Sequence, residues 1–504
     1  MEIFHILFWL LLLGAAACVA LLRFRPAWTW PTAVGLLGLV LLIWLVLRTQ
    51  LPLEATFLSW SSSGFLPDWT WRVNRHTWGL TTWVLLLVTA VSLRAFLQPD
   101  GTNRSTTPAS LLLLLAAAFS VVWSGDFTGL LAGMTLLLAS WLVTLWLAGE
   151  RSTGFLFKGA VLLLGLLLSW PIGSSRTALL GAALLLNVWP LPLWQPKNVV
   201  PVTAVATLTL LIPSLAGGML LIRLLPVAQL SPAISLLLTV LALVGFMHGL
   251  QLAWNRLHLP VYAVTALLLA QSHLLLLAAI WVGVPGVAAE LRVLLLAGGT
   301  LYLLVTQPSA NRWLRLAVGG VALAALAGLP LTAGFASRAG LYAIWLADGR
   351  WALVLVLALL HVPLVLAGVW LLGGETAVSN PTESRSWQDW LREALPLLPA
   401  LGLLSVSNVI WGNVPLLAWA ALLLAAAAGV GLPRFVGDLH DGQQVRVTLR
   451  QALGNERPFA AKLPSLKQLG LGVQTAVNDA ADILDGDSGL LWLLLLAVII
   501  ILIG

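Results

Sequence analysis

"GLPLTAGFASRAGLY" occupies residues 328–342 and interrupts a long apolar run. Pro330 lacks a backbone donor and clashes with the turn before it, and Gly328 and Gly334 are poor helix formers, so a helix arriving here has to stop. A permanent cation, Arg338, follows within a turn or two. In a lipid environment, backbone groups freed by such a break are tolerated only where protein or water satisfies them. Two readings stand: a helix unwound beside an ion route, and a plain kink or loop end.

The rest of the chain supports the lipid premise. It has 504 residues, of which 60% are hydrophobic and 9% charged, with a mean hydropathy of +0.98. A chain of that length with so little polar surface must be solvated mostly by lipid. A spanning helix needs about 20 apolar residues. Such runs recur at 3–22, 31–47, 80–97, 130–148, 202–225, 233–252, 263–284, 351–372 and 490–504. The length rule predicts about 14–16 spans. The runs are continuous and do not alternate with period two, which makes them helices and not barrel strands. The first run carries an acid near its start and no basic flank, so it reads as a retained helix and not a cleaved signal.

Charge and cysteine content narrow the class further. The net charge of +7 is scattered over many loops without a basic stripe, so nucleic acid is not an expected partner. Arg94, Arg104, Arg151, Lys158 and Arg315 read as loop charges that anchor spans, and the 26 tryptophans as headgroup-level residues. Cys18 is the single cysteine, which excludes an intrachain disulfide or a cysteine-ligated metal. No nucleophile–base pair, phosphate loop or cofactor signature is present, so neither a metal nor a cofactor is expected.

Three stretches are polar enough to lie outside the membrane: 52–75, 376–393 and 437–487. In the last, Leu466, Leu469, Val473, Val477, Ala480 and Leu484 recur at steps of three and four. That spacing suits an amphipathic helix along a membrane surface or along partner subunits; a solvated tail with some helix is the alternative. The expected division is 1–100 for N-terminal spans, 101–235 and 236–375 for two repeats, 376–436 for further spans, 437–487 for the surface segment and 488–504 for a last span. The repeats rest on a second Pro-broken stretch, "NVWPLPLWQPKNVVP" at 187–201. Pro190 and Pro330 lie 330 − 190 = 140 residues apart, and paired interrupted helices mark inverted-repeat folds.

Collinear motifs give these features a resemblance. "NVVPVTAVATLTLLIPSLAGGMLLIRLLP" at 198–226 is similar to a segment in which "PTPVSAL" precedes a helix ending "G-x-y-L-x-x-R". "WPLPLWQP" resembles "PxHxWLPxA", and the opening stretch resembles "GIPPLSGFxSKDxIL". Weaker likenesses at 71–93, 124–146 and 255–264 fall in the same order. Together, from about residue 70 to residue 345, the chain resembles the antiporter-like membrane subunits of complex I and the large subunits of Mrp-type cation/proton antiporters. The resemblance implies an all-α polytopic bundle with two inverted five-helix repeats, broken helices and a C-terminal surface helix. It implies other membrane subunits and the lipid bilayer as partners. It also implies a bacterial inner membrane or a cyanobacterial thylakoid membrane.

Departures from the family pattern fall on its charged positions. The glutamate position falls on Thr135, the first broken-helix lysine on Leu185 and a histidine position on Thr207. Arg338 stands where the second broken helix carries a lysine, and Arg292 at the place of another lysine, two residues after Glu290. Lysine changes protonation when desolvated, whereas arginine stays charged. An arginine at membrane depth needs a partner or water, at an insertion cost of about 2.5–3.5 kcal/mol. A neighbouring subunit or snorkelling from the helix end would satisfy Arg338, which is either a structural cation or part of an ion path. His248, His273 and His361 lie in apolar runs and are either proton shuttles or histidines satisfied by backbone carbonyls. Asp126 is expected to cap the helix after it, and Arg223 to close its own helix. The expected function is a subunit of a complex I-like or Mrp-like proton- or cation-translocating assembly. With key pumping residues replaced, it would be a scaffold or a divergent translocating subunit, and at most a non-catalytic part of an NAD(P)H/ferredoxin:quinone oxidoreductase-type complex. A self-sufficient ion or proton transporter is the alternative.

Overall fold

A computed structural model describes residues 3–58, 69–97, 107–148, 163–167, 175–188, 204–226, 231–306, 312–373, 387–404 and most of 419–429. All lie in one compact unit, Met1–Val430. The expected surface segment at 437–487, the last span at 488–504 and Pro190 lie outside the described residues.

The unit is an α-helical membrane bundle. Its helices are α1 (Ile3–Phe24), α2 (Thr29–Leu47), α3 (Arg75–Leu97), α4 (Thr107–Trp123), α5 (Phe127–Ala148), α6 (Ser175–Leu185), α7 (Ala204–Leu224), α8 (Pro232–Asn255), α9 (Pro260–Trp281), α10 (Val284–Val305), α11 (Arg312–Leu326), α12 (Phe335–Ala347), α13 (Trp351–Gly373), α14 (Trp387–Ala394) and α15 (Leu397–Leu403). Among the described residues, eight helices are long and apolar enough to cross a membrane, and three shorter apolar ones accompany them. The chain is therefore an integral membrane protein. The spans at α9 and α10 are 89% and 83% buried, against 28% for α1 and α2. The first pair is central, and the second faces the surroundings along most of its length.

Local chemistry sets the helix starts. Asn74 Oδ1 accepts from the backbone N–H of His76 and Thr77, while Thr77 Oγ1 accepts from Asn74 N, a reciprocal cap at the head of α3. Asp126 caps α5 as expected, accepting from Gly129 N through Oδ1; its Oδ2 also accepts from Thr70 N at 2.9 Å and Thr70 Oγ1 at 2.7 Å. Pro232 and Pro260 stand in the first turns of α8 and α9, where a missing N–H costs nothing.

Two features add to the expectations. The polar segment at 52–75 carries a hairpin: β1 (Leu53–Leu58) and β2 (Trp69–Val73) pair antiparallel, with Leu53 opposite Val73 and Glu54 opposite Arg72. Tryptophan, moreover, is found in the core as well as on the surface. Trp44, Trp71 and Trp123 are fully buried in the bundle. Their rings lie 5.5–5.6 Å apart in the pairs Trp44–Trp123 and Trp71–Trp123. Trp123 Nε1 donates to Thr81 Oγ1 at 3.0 Å, and Trp44 Nε1 to Thr82 Oγ1 at 2.9 Å, which satisfies their polar atoms in the core. Trp28, Trp313 and Trp387, by contrast, are exposed and suit the interface.

Candidate functional site

The break at 327–334 has defined chemistry. α11 and α12 have 15 and 13 residues, rising about 22 and 20 Å, too short to cross about 30 Å of hydrocarbon alone. α11 ends in a Schellman turn: Leu329 N donates to Ala324 O at 2.8 Å and Gly328 N to Ala325 O at 3.1 Å. Gly328 holds φ +68°, a left-handed conformation. A Cβ there would also lie 2.2 Å from Arg338 Cγ, so glycine is required twice over. At Gly334 a Cβ would lie 2.2 Å from the Ala325 carbonyl oxygen. Pro330 sits in the turn two residues after the left-handed position.

The last four carbonyls of α11 are all accounted for. Leu323 O accepts from Ala327 N, Ala324 O and Ala325 O take the Schellman bonds, and Leu326 O accepts from Arg338 Nη2 at 2.9 Å. Arg338 is in the first turn of α12, where its own helix dipole disfavours a cation. Side chains on a helix lean toward its N-terminus, and this one leans back onto the negative end of α11.

Arg338 is fully buried, and so is everything it touches. Its Nη1 pairs with Glu290 Oε1. Its Nη2 also donates to Gln271 Oε1 at 3.0 Å, and its Nε to His361 Nε2 at 3.2 Å. Gln271 Nε2 donates in turn to Glu290 Oε2. Because His361 Nε2 accepts, its Nδ1 carries the proton and donates to Leu357 O at 2.7 Å, which assigns a neutral ring. Tyr342 Oη lies 3.4 Å from the same Nδ1. A single guanidinium thus joins α9, α10, α11 and α13. The carboxylate that answers it lies in the same chain, so neither snorkelling nor a neighbouring subunit is needed.

The other expected residues fall elsewhere. Arg292 does not join this cluster; it donates to Gly402 O, through Nε at 2.8 Å, and to Leu404 O at 3.3 Å, and lies 3.6 Å over the Trp83 ring. It closes the C-terminus of α15. His273 is buried and engages the Leu269 carbonyl through Nδ1 at 2.7 Å, and His248 is half-buried on α8. Thr135 is exposed and its hydroxyl back-bonds to Leu131 O at 2.8 Å; its buried neighbour is Met134. Leu185 is buried as the last residue of α6. Thr207 lies in α7, with its side chain outside the described residues. No group of three or more His, Cys, Asp or Glu side chains among the described residues is placed to hold a metal ion.

Arg94 and Arg315 are not loop charges. Both are buried within helices. Arg94 donates to Leu303 O and Thr306 O, each at 2.7 Å, at the end of α10. Arg315 donates to Leu371 O at 3.1 Å near the end of α13. Arg223 donates to Ser124 O, just past the end of α4, and not to its own helix. With Arg292 and Arg338 this makes five arginines, each closing the C-terminus of another helix. Gln271 and Tyr342 were not singled out from the sequence. The signal for Gln271 was present: an amide two residues before His273 in an otherwise apolar run.

No family model matches the chain, and no curated protein sequence matches it. Solved structures do. A chain in the structure of the Mrp complex from Dietzia sp. DQ12-45-1b superposes with a TM-score of 0.67 at 17% identity, covering 99% of this chain and 62% of that one. The chain thus spans under two thirds of that Mrp chain's length. A chain of the membrane-bound sulfane sulfur reductase, an archaeal respiratory membrane complex, superposes with a TM-score of 0.66 at 14% identity, covering 99% of both. The protein therefore shares the fold of these chains of the Mrp complex and of the archaeal respiratory membrane complex.

Proposed function

We propose that the chain is an antiporter-like subunit of a multisubunit proton- or cation-translocating membrane assembly, of complex I-like or Mrp-like type, in which it acts mainly as a scaffold. The expected division into two inverted repeats, 101–235 and 236–375, would put the break at 328–334 within the second. The observation that carries the scaffold reading is the saturation of Arg338. All three guanidinium nitrogens are engaged, both Glu290 oxygens are engaged, and His361 is neutral. Arginine does not release its proton at physiological pH, so this cluster ties helices together and does not load and unload protons. Thr135 and Leu185 supply no titrating group to the first half.

The test is isolation of the tagged chain from its native membrane in mild detergent. The expected result is co-purification with other polytopic membrane subunits, and loss of that assembly on Arg338→Ala. Recovery of the chain alone, with ion movement after reconstitution by itself, would overturn the proposal in favour of a self-sufficient transporter.

A further inference from the structure

Four acceptors from four helices converge on the Arg338 head group, and none belongs to the helix that carries it. They are Gln271 Oε1 of α9, Glu290 Oε1 of α10, the Leu326 carbonyl of α11 and His361 Nε2 of α13. Three of the acceptor residues are held independently. Gln271 is tied to Glu290, His361 is fixed by the Leu357 carbonyl, and Leu326 is the last residue of a helix whose turn is closed by its own backbone bonds. The set combines one full negative charge, an amide dipole, a helix C-terminus and a neutral imidazole. It is short of the six to eight oxygens, roughly, that a calcium ion takes, and its acceptors match the planar, multi-donor edge of a guanidinium. Gly328 leaves room for the stem of the side chain, passing so close that a Cβ would meet Arg338 Cγ.

We infer that this cluster is a buried binding site for a planar monovalent cation, filled from within the chain by the Arg338 guanidinium, which closes it to free ions. A tethered group is present at high effective concentration, so a free cation competes poorly while the tether is intact. Removing the tether leaves the acceptors in place with an uncompensated carboxylate, and a free guanidinium ion should then enter. The inference concerns one chain's interior and does not rest on the assembly reading.

The experiment uses the full chain carrying Arg338→Ala, purified in detergent alone or with the subunits that accompany it. Melting is followed in low-millimolar guanidinium chloride and in sodium chloride at matched ionic strength. The expected result is a rise in melting temperature of about 2 °C with guanidinium and none with sodium. The wild type and the double variant Glu290→Gln/Arg338→Ala should show no such rise. Where Arg338→Ala is not recovered folded in sodium chloride, the readout becomes the yield of monodisperse protein prepared with guanidinium throughout, and recovery supports the site. Absence of both rise and recovery, an equal rise in the wild type, or a rise retained in the double variant overturns the inference. Loss of this site would leave the assembly reading standing, and isolation of the chain alone would leave this site standing.

Discussion

The N-terminal helices and the α9–α13 region solve the same problem, polar atoms buried among apolar helices, by different chemistry. Around α2, α3 and α4 the core is aromatic, and the buried indoles of Trp44 and Trp123 each give their N–H to a threonine hydroxyl. Neutral interhelical hydrogen bonds of that kind contribute only about 0.6–2 kcal/mol each. Around α12 the core holds a carboxylate, a guanidinium, an amide and an imidazole in one network. The first arrangement tolerates loss of a member. The second is costly if half satisfied, because a lone buried charge remains.

The largest expected effect follows from that contrast. Glu290→Ala should destabilise the protein by about 3–5 kcal/mol by stranding Arg338, whereas the joint change Glu290→Leu/Arg338→Met should lose much less. Thermal melting in detergent reads both. A double variant as unstable as the single one would show that the network's hydrogen bonds, and not its isolated charge, dominate.

A second contrast lies between two helix ends. α6 ends as α11 does: Val188 N donates to Ala183 O and Asn187 N to Leu184 O, each at 3.0 Å, with Asn187 in the left-handed position at φ +60°. Leu185 therefore occupies the place that Leu326 holds in α11. Gly328→Ala combines a left-handed alanine, at about 1–2 kcal/mol, with the collision against Arg338, and should lower stability by about 2 kcal/mol or more. Asn187→Gly accepts the same backbone angle without strain and should change stability by under about 1 kcal/mol. Equal losses at the two sites would mean that neither the left-handed strain nor the Arg338 contact costs anything at the second break.

The smallest effect is expected at the hairpin. Arg72 and Glu54 pair at 2.9 Å with both side chains about half exposed. Arg72→Ala should cost about 0–1 kcal/mol, and the loss should fade as salt rises. The buried Glu290–Arg338 pair should respond far less to the same salt series, which sharpens the contrast between the two ion pairs.

Much of this was legible in the chain itself. Continuous apolar runs of spanning length fixed an α-helical membrane bundle, because lipid offers the backbone no hydrogen bonds and only helices satisfy their own within a continuous apolar run. Asp126 as a helix cap and the helix break around Pro330 also followed from residue chemistry alone. Tertiary structure decided the rest. Pro213 and Pro363 lie inside α7 and α13 while Pro330 lies in the turn beyond the end of α11. The same residue type thus has opposite outcomes, and packing around it selects between them. Arg94 and Arg315 read as loop charges, Arg292 as an ion-path charge and Arg223 as the closure of its own helix, yet each reaches carbonyls at the end of another helix, 56 to 212 residues away in sequence. No local pattern encodes which helix end lies within reach of a given arginine. The pairing of Glu290 with Arg338 was likewise invisible, since a residue's charge is written in the sequence, but the distance that decides whether that charge is compensated exists only once the helices have packed.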